Sequence, residues 1–274
     1  MERAAIFGVY DFVGYSLCRN LLDLGMEVEG IYPAREKEDH YTEEKRLEIG
    51  RNANFSEISL IDWQGEKAVD TVFVALFEAF LYQDRTQDYF EGLLAILESR
   101  QDKKQQTVLL LPAFMAEEKV NLKELHSGLH DLINNTKSSV LIIYLPTIFG
   151  PWQPEKFFFH KAMSQAERDK GEPVVDPWEW TVDCVYIDDV VEFIRKMAES
   201  GEQGQYLLAS GEHDRWKVCA RELLGQDPDV PESRIAKLKI KRAIKVKKVE
   251  RNEEVSLGLS KQREQYSRIK DSRV

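Results

Sequence analysis

Short apolar runs alternate with amphipathic stretches over the first two-thirds of the chain. Ala4 to Phe7 is an unbroken apolar run closed by Gly8, which predicts a buried strand. Tyr15 to Leu24 puts Leu17, Cys18, Leu21 and Leu22 on one helical face, and Gly25 stands where a C-terminal cap belongs. Val28 to Tyr32, Phe55 to Ile61 and Thr71 to Phe77 read as strands two, three and four. A helix over Asp88 to Arg100 leads to a fifth strand, Thr107 to Leu111, and a helix over Leu122 to Asn134 leads to a sixth, Val140 to Tyr144. Strands that are apolar nearly throughout, alternating with helices, predict an α/β fold with a doubly wound parallel sheet covered on both faces.

After Gly150-Pro151-Trp152 the pattern becomes irregular and aromatic. Phe157-Phe158-Phe159, Trp178 and Trp180 suit the lining of a ligand cleft and the packing of a small core equally well. A helix over Asp188 to Glu199, a strand over Gln205 to Ala209 and a helix over Arg215 to Leu224 follow. Beyond Pro228 and Pro231 the composition turns basic. Leu238, Ile240, Ile244 and Val246 alternate in part with lysines over Ala236 to Val246, the period of a strand with one solvated face. The last twenty residues are polar and are expected to fray. The expected organisation is a first domain over 1–150, a smaller lobe over 151–230 from which 181–199 returns to the first domain, and a basic segment over 231–274.

Composition narrows the function classes. A chain of 274 residues can bury a full core unaided. Cys18, Cys184 and Cys219 are too widely spaced for a disulfide framework or a multi-cysteine zinc site, and they fit a reducing cytoplasm. No run approaches the roughly 18 apolar residues of a membrane span, and Gly8 and Asp11 break the first apolar run before it resembles a secretory leader. The net charge of −10 is uneven: residues 229–274 carry +7 and the remainder −17. An acidic body repels phosphate at long range and argues against nucleic acid as a partner, leaving only the tail to attract polyanions.

Strand, glycine turn and helix at the N-terminus suggest dinucleotide binding, which needs a tight turn, a close backbone approach and a helix N-terminus aimed at the diphosphate. The turn reads Gly8-Val9-Tyr10-Asp11-Phe12-Val13-Gly14, with only the outer glycines present. This segment resembles the G-x-x-G-x-x-G of the extended short-chain dehydrogenase/reductase family, the NAD-dependent epimerase/dehydratase group. Gly25 to Ile31 resembles that family's second strand, Gly92 to Glu98 its fourth helix, Leu145 to Pro151 its aromatic-Gly-Pro segment, and Val185 to Val190 its V-x-V-x-D-V block. The likeness runs in order over about residues 4 to 225.

The resemblance implies a Rossmann-type domain for NAD or NADP and a smaller lobe for a substrate, often a nucleotide sugar. Carried over by position, it assigns the turn residues Gly8, Tyr10, Asp11, Phe12, Val13 and Gly14, then Tyr32 and Arg35 near the adenine ribose, Asp62 near adenine, and Pro146 and Thr147, to cofactor binding. The departures matter as much. Asp11 replaces the middle glycine, Tyr32 replaces the ribose-binding acid, and Arg35 is placed to meet a 2′-phosphate instead. After strand five the chain reads Leu111-Pro112-Ala113-Phe114, with no hydroxyl, and the next helix contains no tyrosine. Tyr144 stands where the family has an arginine after strand six, and the Tyr-x-x-x-Lys of Tyr41 to Lys45 follows strand two, where it reads as chance. No catalytic set is assigned.

Other candidates have plainer readings. His126 and His130 are four apart on the expected helix but lack a third ligand, so no metal is expected. His126 or Ser127 is open as a substitute proton donor. Asp188-Asp189 suits the first turn of a helix. The expectation is a ligand-binding or regulatory protein without the family's chemistry, with NAD or NADP bound weakly or not at all. The alternatives are an active epimerase, dehydratase or reductase with a substitute donor, and a scaffold docking a partner through its basic tail. A small-molecule ligand and a homodimer are the partners implied.

Overall fold

The computed structural model describes residues 1–32, 41–63, 69–79, 105–135, 140–166, 173–176, 178–228, 239–250 and 253–271. Eight parallel strands form one sheet: β1 (Arg3–Phe7), β2 (Glu27–Tyr32), β3 (Phe55–Ser59), β4 (Thr71–Ala75), β5 (Gln106–Pro112), β6 (Val140–Leu145), β9 (Gly204–Ala209) and β10 (Lys245–Lys248). Their order is β10-β9-β6-β5-β4-β1-β2-β3. Strand order therefore reverses between β1 and β4, the place at the carboxyl ends of the strands where open α/β sheets characteristically form a ligand crevice. A two-stranded sheet pairs β7 (Thr147–Phe149) with β8 (Cys184–Tyr186).

Alternation across the sheet builds two cores. Ala4, Ile6, Phe73, Val108, Leu110, Leu141 and Ile143 face one way, and Ala5, Phe7, Val72, Val74, Leu109, Leu111 and Ile142 face the other. Helix α1 (Phe12–Asp23) covers the first face with Leu17, Cys18 and Leu21. It ends as the sequence signals: Gly25 adopts φ +79° after the Leu24 cap. Helix α2 (Thr42–Ile49) follows β2. On the second face, Leu122 of α3 (Leu122–Leu125) and Leu129 and Ile133 of α4 (Ser127–Asn135) join the core.

The single helix expected over Leu122 to Asn134 is thus two. His126 leaves helical geometry at φ −162°, ψ 102°, and its Nδ1 accepts the Leu129 amide at 3.1 Å. The histidine side chain starts the second helix in the manner of an N-cap, an alternative to continuing the first.

The C-terminal fifth departs further from expectation. Strand β10 is confined to Lys245–Lys248, with Ile244 buried but Val246 62% exposed, while residues 236–238 of the expected strand lie outside the described residues. Residues 255–271 do not fray: α8 (Val255–Asp271) is a helix of 17 residues packed on β7 and on α7 (Arg215–Leu224). Its approach is fixed at Glu253, whose backbone amide donates to Asp189 and whose carbonyl accepts from the buried Arg215. Gly258 lets the helix lie against Phe149 and Tyr186; an added Cβ would stand 2.7 Å from the Phe149 ring. Gln262, 1% exposed, accepts the Gly150 amide at 2.9 Å and donates to Gln153 at 2.8 Å. The Gly150-Pro151-Trp152 segment is therefore the anchor of the C-terminal helix.

Helix α6 (Ile187–Glu199) carries Asp188 and Asp189 in its first turn as expected, but neither side chain caps it; Asp189 serves the Glu253 amide. Helix α5 (Phe158–Ala166) completes the described helices. Gln262→Ala leaves the Gly150 amide buried without its acceptor, and such a loss costs about 1–3 kcal/mol. Urea denaturation should show that loss, whereas Arg263→Ala on the exposed face of α8 should change stability by less than about 0.5 kcal/mol. Equal effects would contradict the anchoring role.

Candidate functional site

Gly8 to Gly14 form the turn after β1 and the first residues of α1, beside the switch in strand order, while Tyr32, Asp62, Pro146 and Thr147 lie at the ends of other strands. Gly8 adopts φ +76°, and its amide donates to Ile31 at 3.0 Å, tying the turn to β2. Gly14 is required sterically: a Cβ there would lie 2.1 Å from the Gly8 carbonyl oxygen. Both glycines thus serve close packing of α1 on the turn. Tyr10, Phe12 and Val13 are buried in the core on this side of the sheet.

Asp11 precedes α1 as its N-cap residue without making a side-chain cap. Its carboxylate folds back over the turn, where a Cβ added to Gly8 would stand 2.7 Å from Oδ2. The first-turn amide of Phe12 donates instead to the carboxylate of Glu78, which is 6% exposed and arrives from the segment after β4. Sequence reading missed Glu78. Its signal was an acid immediately after the apolar run of strand four, beside the point where strand order reverses.

At the end of β2, Tyr32 packs edge-on against Tyr10 with ring centroids 6.1 Å apart. The Arg46 guanidinium lies 5.0 Å from the Tyr10 ring and 5.6 Å from Tyr32, and pairs with Glu57 at 2.8 Å. Asp62 is exposed and accepts from Ser59 Oγ, holding the turn after β3. Arg35 and the helix expected over Asp88 to Arg100 lie outside the described residues.

At the ends of β4, β5 and β6, aromatic rings close a small cavity. Phe77 stacks on Phe157 at 5.5 Å and 5°, and Phe114 packs on Trp178 at 5.0 Å. Ala113 to Ala116 form a buried 3-10 turn directly after β5 and carry no hydroxyl. Pro146 and Thr147 line the same cavity, but the Thr147 hydroxyl donates to the Trp180 carbonyl at 2.7 Å. The space open to the centre of a water molecule is about 10 Å³, room for roughly one water.

Glu179 is the second residue the sequence did not single out, although two tryptophans flank it. It lines this cavity, and its Oε2 accepts the Phe158 amide at the start of α5 at 2.9 Å. Burial pushes its carboxyl up to about 7. The Phe158 amide, the nearby Trp216 indole and the Lys161 ammonium pull the other way, while Asp176 adds to the rise. The indole makes no hydrogen bond of good geometry, and Oε1 has no partner among the described residues.

The remaining candidates play structural parts. His126 caps α4, and His130 lies 3.1 Å from its neighbour Asp131. No group of three metal-ligating side chains occurs among the described residues. Tyr41 and Lys45 are buried: the ammonium donates to the Tyr10 carbonyl at 2.7 Å, and the Tyr41 ring meets Trp152. A second Tyr-x-x-x-Lys, Tyr266 to Lys270 on α8, escaped the sequence reading. The Tyr266 ring packs edge-on to His160 at 5.2 Å.

Comparison with known proteins supports the fold. No family model matches the chain. The uncharacterized protein YjaV of Bacillus subtilis is 27% identical over 157 residues, a stretch covering 57% of this chain and 66% of that protein. Among solved structures, UDP-glucuronic acid 4-epimerase from Bacillus cereus in complex with NAD superposes with a TM-score of 0.70 at 15% identity, covering 97% of this chain and 99% of that one. A dTDP-glucose 4,6-dehydratase from Bacillus anthracis in complex with NAD gives 0.68 at 11% identity, covering 99% and 98%. The chain has the fold of these NAD-dependent epimerases and dehydratases, as the ordered sequence segments implied.

The titration of Glu179 has a measurable consequence. The folded protein keeps its proton up to about pH 7, whereas the unfolded chain releases it near 4.5. Between those values the folded state binds one proton more, so stability falls as pH rises through the window and levels off above it. The full effect is about 3 kcal/mol. Glu179→Gln retains an acceptor for the Phe158 amide and should flatten that decline in urea titrations between about pH 4 and pH 8. Identical slopes in the two proteins would contradict it.

Proposed function

We propose that this chain is a ligand-binding or regulatory protein that uses the fold of NAD-dependent epimerases and dehydratases without their hydride chemistry. The observation that carries this reading is the turn after β5. Ala113, Phe114, Met115 and Ala116 are all buried there, and Phe114 packs on Trp178. Proton exchange with a sugar hydroxyl requires a donor of suitable pKa within hydrogen-bond reach of the reacting carbon's oxygen. The family places a hydroxyl and a tyrosine for that work, and neither α3 nor α4 contains a tyrosine. His126, a residue open as a substitute, already accepts a backbone amide.

The ligand proposed is a small molecule bound at the carboxyl ends of the strands. Nucleotide sugars are a natural class to try, because the Bacillus cereus epimerase has also been solved with UDP-glucuronic acid and NAD. NAD or NADP is proposed to bind weakly or not at all. No helix among the described residues is long and apolar enough to cross a membrane, and the protein is proposed to act in the cytoplasm, with a homodimer as its assembly. The basic β10 strand supports little as a docking arm, since Lys247 already pairs with Glu202 and lies 5.1 Å from the Tyr206 ring.

One observation favours a second reading, an active enzyme with a substitute donor. Glu179 lines the cavity at the ends of β4 to β6 and titrates near neutrality, as a general acid should. Nicotinamide absorbance during incubation with a panel of nucleotide sugars and simple carbonyls separates the two. Absence of turnover is expected. A kcat in the ordinary range of about 1 to 10³ s⁻¹, abolished by Glu179→Gln, would establish the second reading instead.

A further inference from the structure

We propose that Glu78 determines the exclusion of dinucleotides from this fold, by holding its own carboxylate in the seat that a diphosphate would take at the N-terminus of α1. This deepens the reading of the crevice as non-catalytic and rests on it.

The backbone frame for a diphosphate is intact. The tight turn at Gly8 is kept, Gly14 still allows α1 to lie against it, and α1 runs for 12 residues behind its first turn. A diphosphate at such a turn is recognised by backbone N–H groups at the helix start. Here the Phe12 N–H is donated to Glu78. The carboxylate reaches it across the crevice, because β4 and β1 are neighbours in the sheet and Glu78 lies just beyond the end of β4. It is buried at 6% exposure, so solvent screens its charge poorly.

A diphosphate approaching that amide meets a like charge at the same donor and must displace it. Asp11 acts differently. Its carboxylate lies back over Gly8, so replacing it with glycine clears the turn without vacating the Phe12 amide. The geometry thus assigns exclusion to a residue 66 positions away from the amide it occupies, outside the glycine motif itself.

Isothermal titration of the full chain with inorganic pyrophosphate, ADP and NAD tests the assignment. Wild type and Asp11→Gly should both bind weakly, within about threefold of each other. Glu78→Ala vacates the seat and should bind pyrophosphate and NAD at least about tenfold more tightly than wild type. Glu78→Gln removes the charge but keeps the seat filled, and should fall between them. Circular dichroism establishes that each variant is folded; if Glu78→Ala is not, Glu78→Gln alone decides, by a gain of about threefold or more. Folded variants with no gain, or wild-type binding as tight as that of Glu78→Ala, overturn the proposal. Nicotinamide turnover by wild type would overturn the non-catalytic reading itself, whereas unchanged affinity in the Glu78 variants without turnover would overturn only the role of Glu78.

Discussion

The seating of α1 on the turn after β1 is the contact on which the crevice depends. The Gly8 carbonyl passes so close beneath the helix that no side chain fits at position 14. That approach brings the first turn of α1 to the seam between β1 and β4, where strand order reverses. Any group at the end of β4 is then within reach of the helix amides, and Glu78 is the group this sequence supplies there. Glycines that read as a ligand signature are required by packing whether or not a ligand binds.

The sheet was legible because strands buried on both faces are written as continuous apolar runs, and β1, β2, β4, β5 and β6 fall within a few residues of the expected spans. The C-terminal helix was not legible, for a physical reason. Its buried face is Gly258, Leu259, Gln262, Tyr266 and Ile269, so a glycine and a glutamine do the anchoring that a hydrophobic stripe would ordinarily announce. Gln262 is recognisable only once the Gly150 amide that needs it is in place. The break at His126 was hidden in a similar way, because the helical period continues through it and only a side chain competing for the Leu129 amide interrupts the helix. That Ala113 to Ala116 carry no hydroxyl, and that α3 and α4 carry no tyrosine, was plain from the residues themselves. Glu78 and Glu179 were not, since an acid after a strand and an acid between two tryptophans both look like ordinary surface positions.

Likeness of fold at 15% identity and below carries architecture and little chemistry. What this chain shares with the dinucleotide-binding frame is steric: a tight turn, a close helix and a crevice at the switch in strand order. At the ends of β4, β5 and β6, Phe77, Phe114, Phe157, Trp178 and Trp180 pack around a space of one water. Aromatic fill of this kind stabilises the lobe by burying area and by ring contacts worth about 0.5–1.5 kcal/mol each.

Several buried carboxylates of the acidic body accept backbone amides. Glu78 accepts the Phe12 amide at the start of α1, and Glu179 the Phe158 amide at the start of α5. Asp183 accepts the Ser210 and Cys184 amides, and Asp189 accepts the Glu253 amide ahead of α8. A helix start leaves amide donors without intrahelical partners, and a buried donor left open costs free energy comparable to a lost hydrogen bond. Glu78 and Glu179 close such donors at the starts of α1 and α5 from 66 and 21 positions away, and Asp183 and Asp189 close amides outside the helices. Glu78 does the same, and its proposed effect on ligands arises from its place: the donor it closes lies at the start of α1, beside the point where strand order reverses.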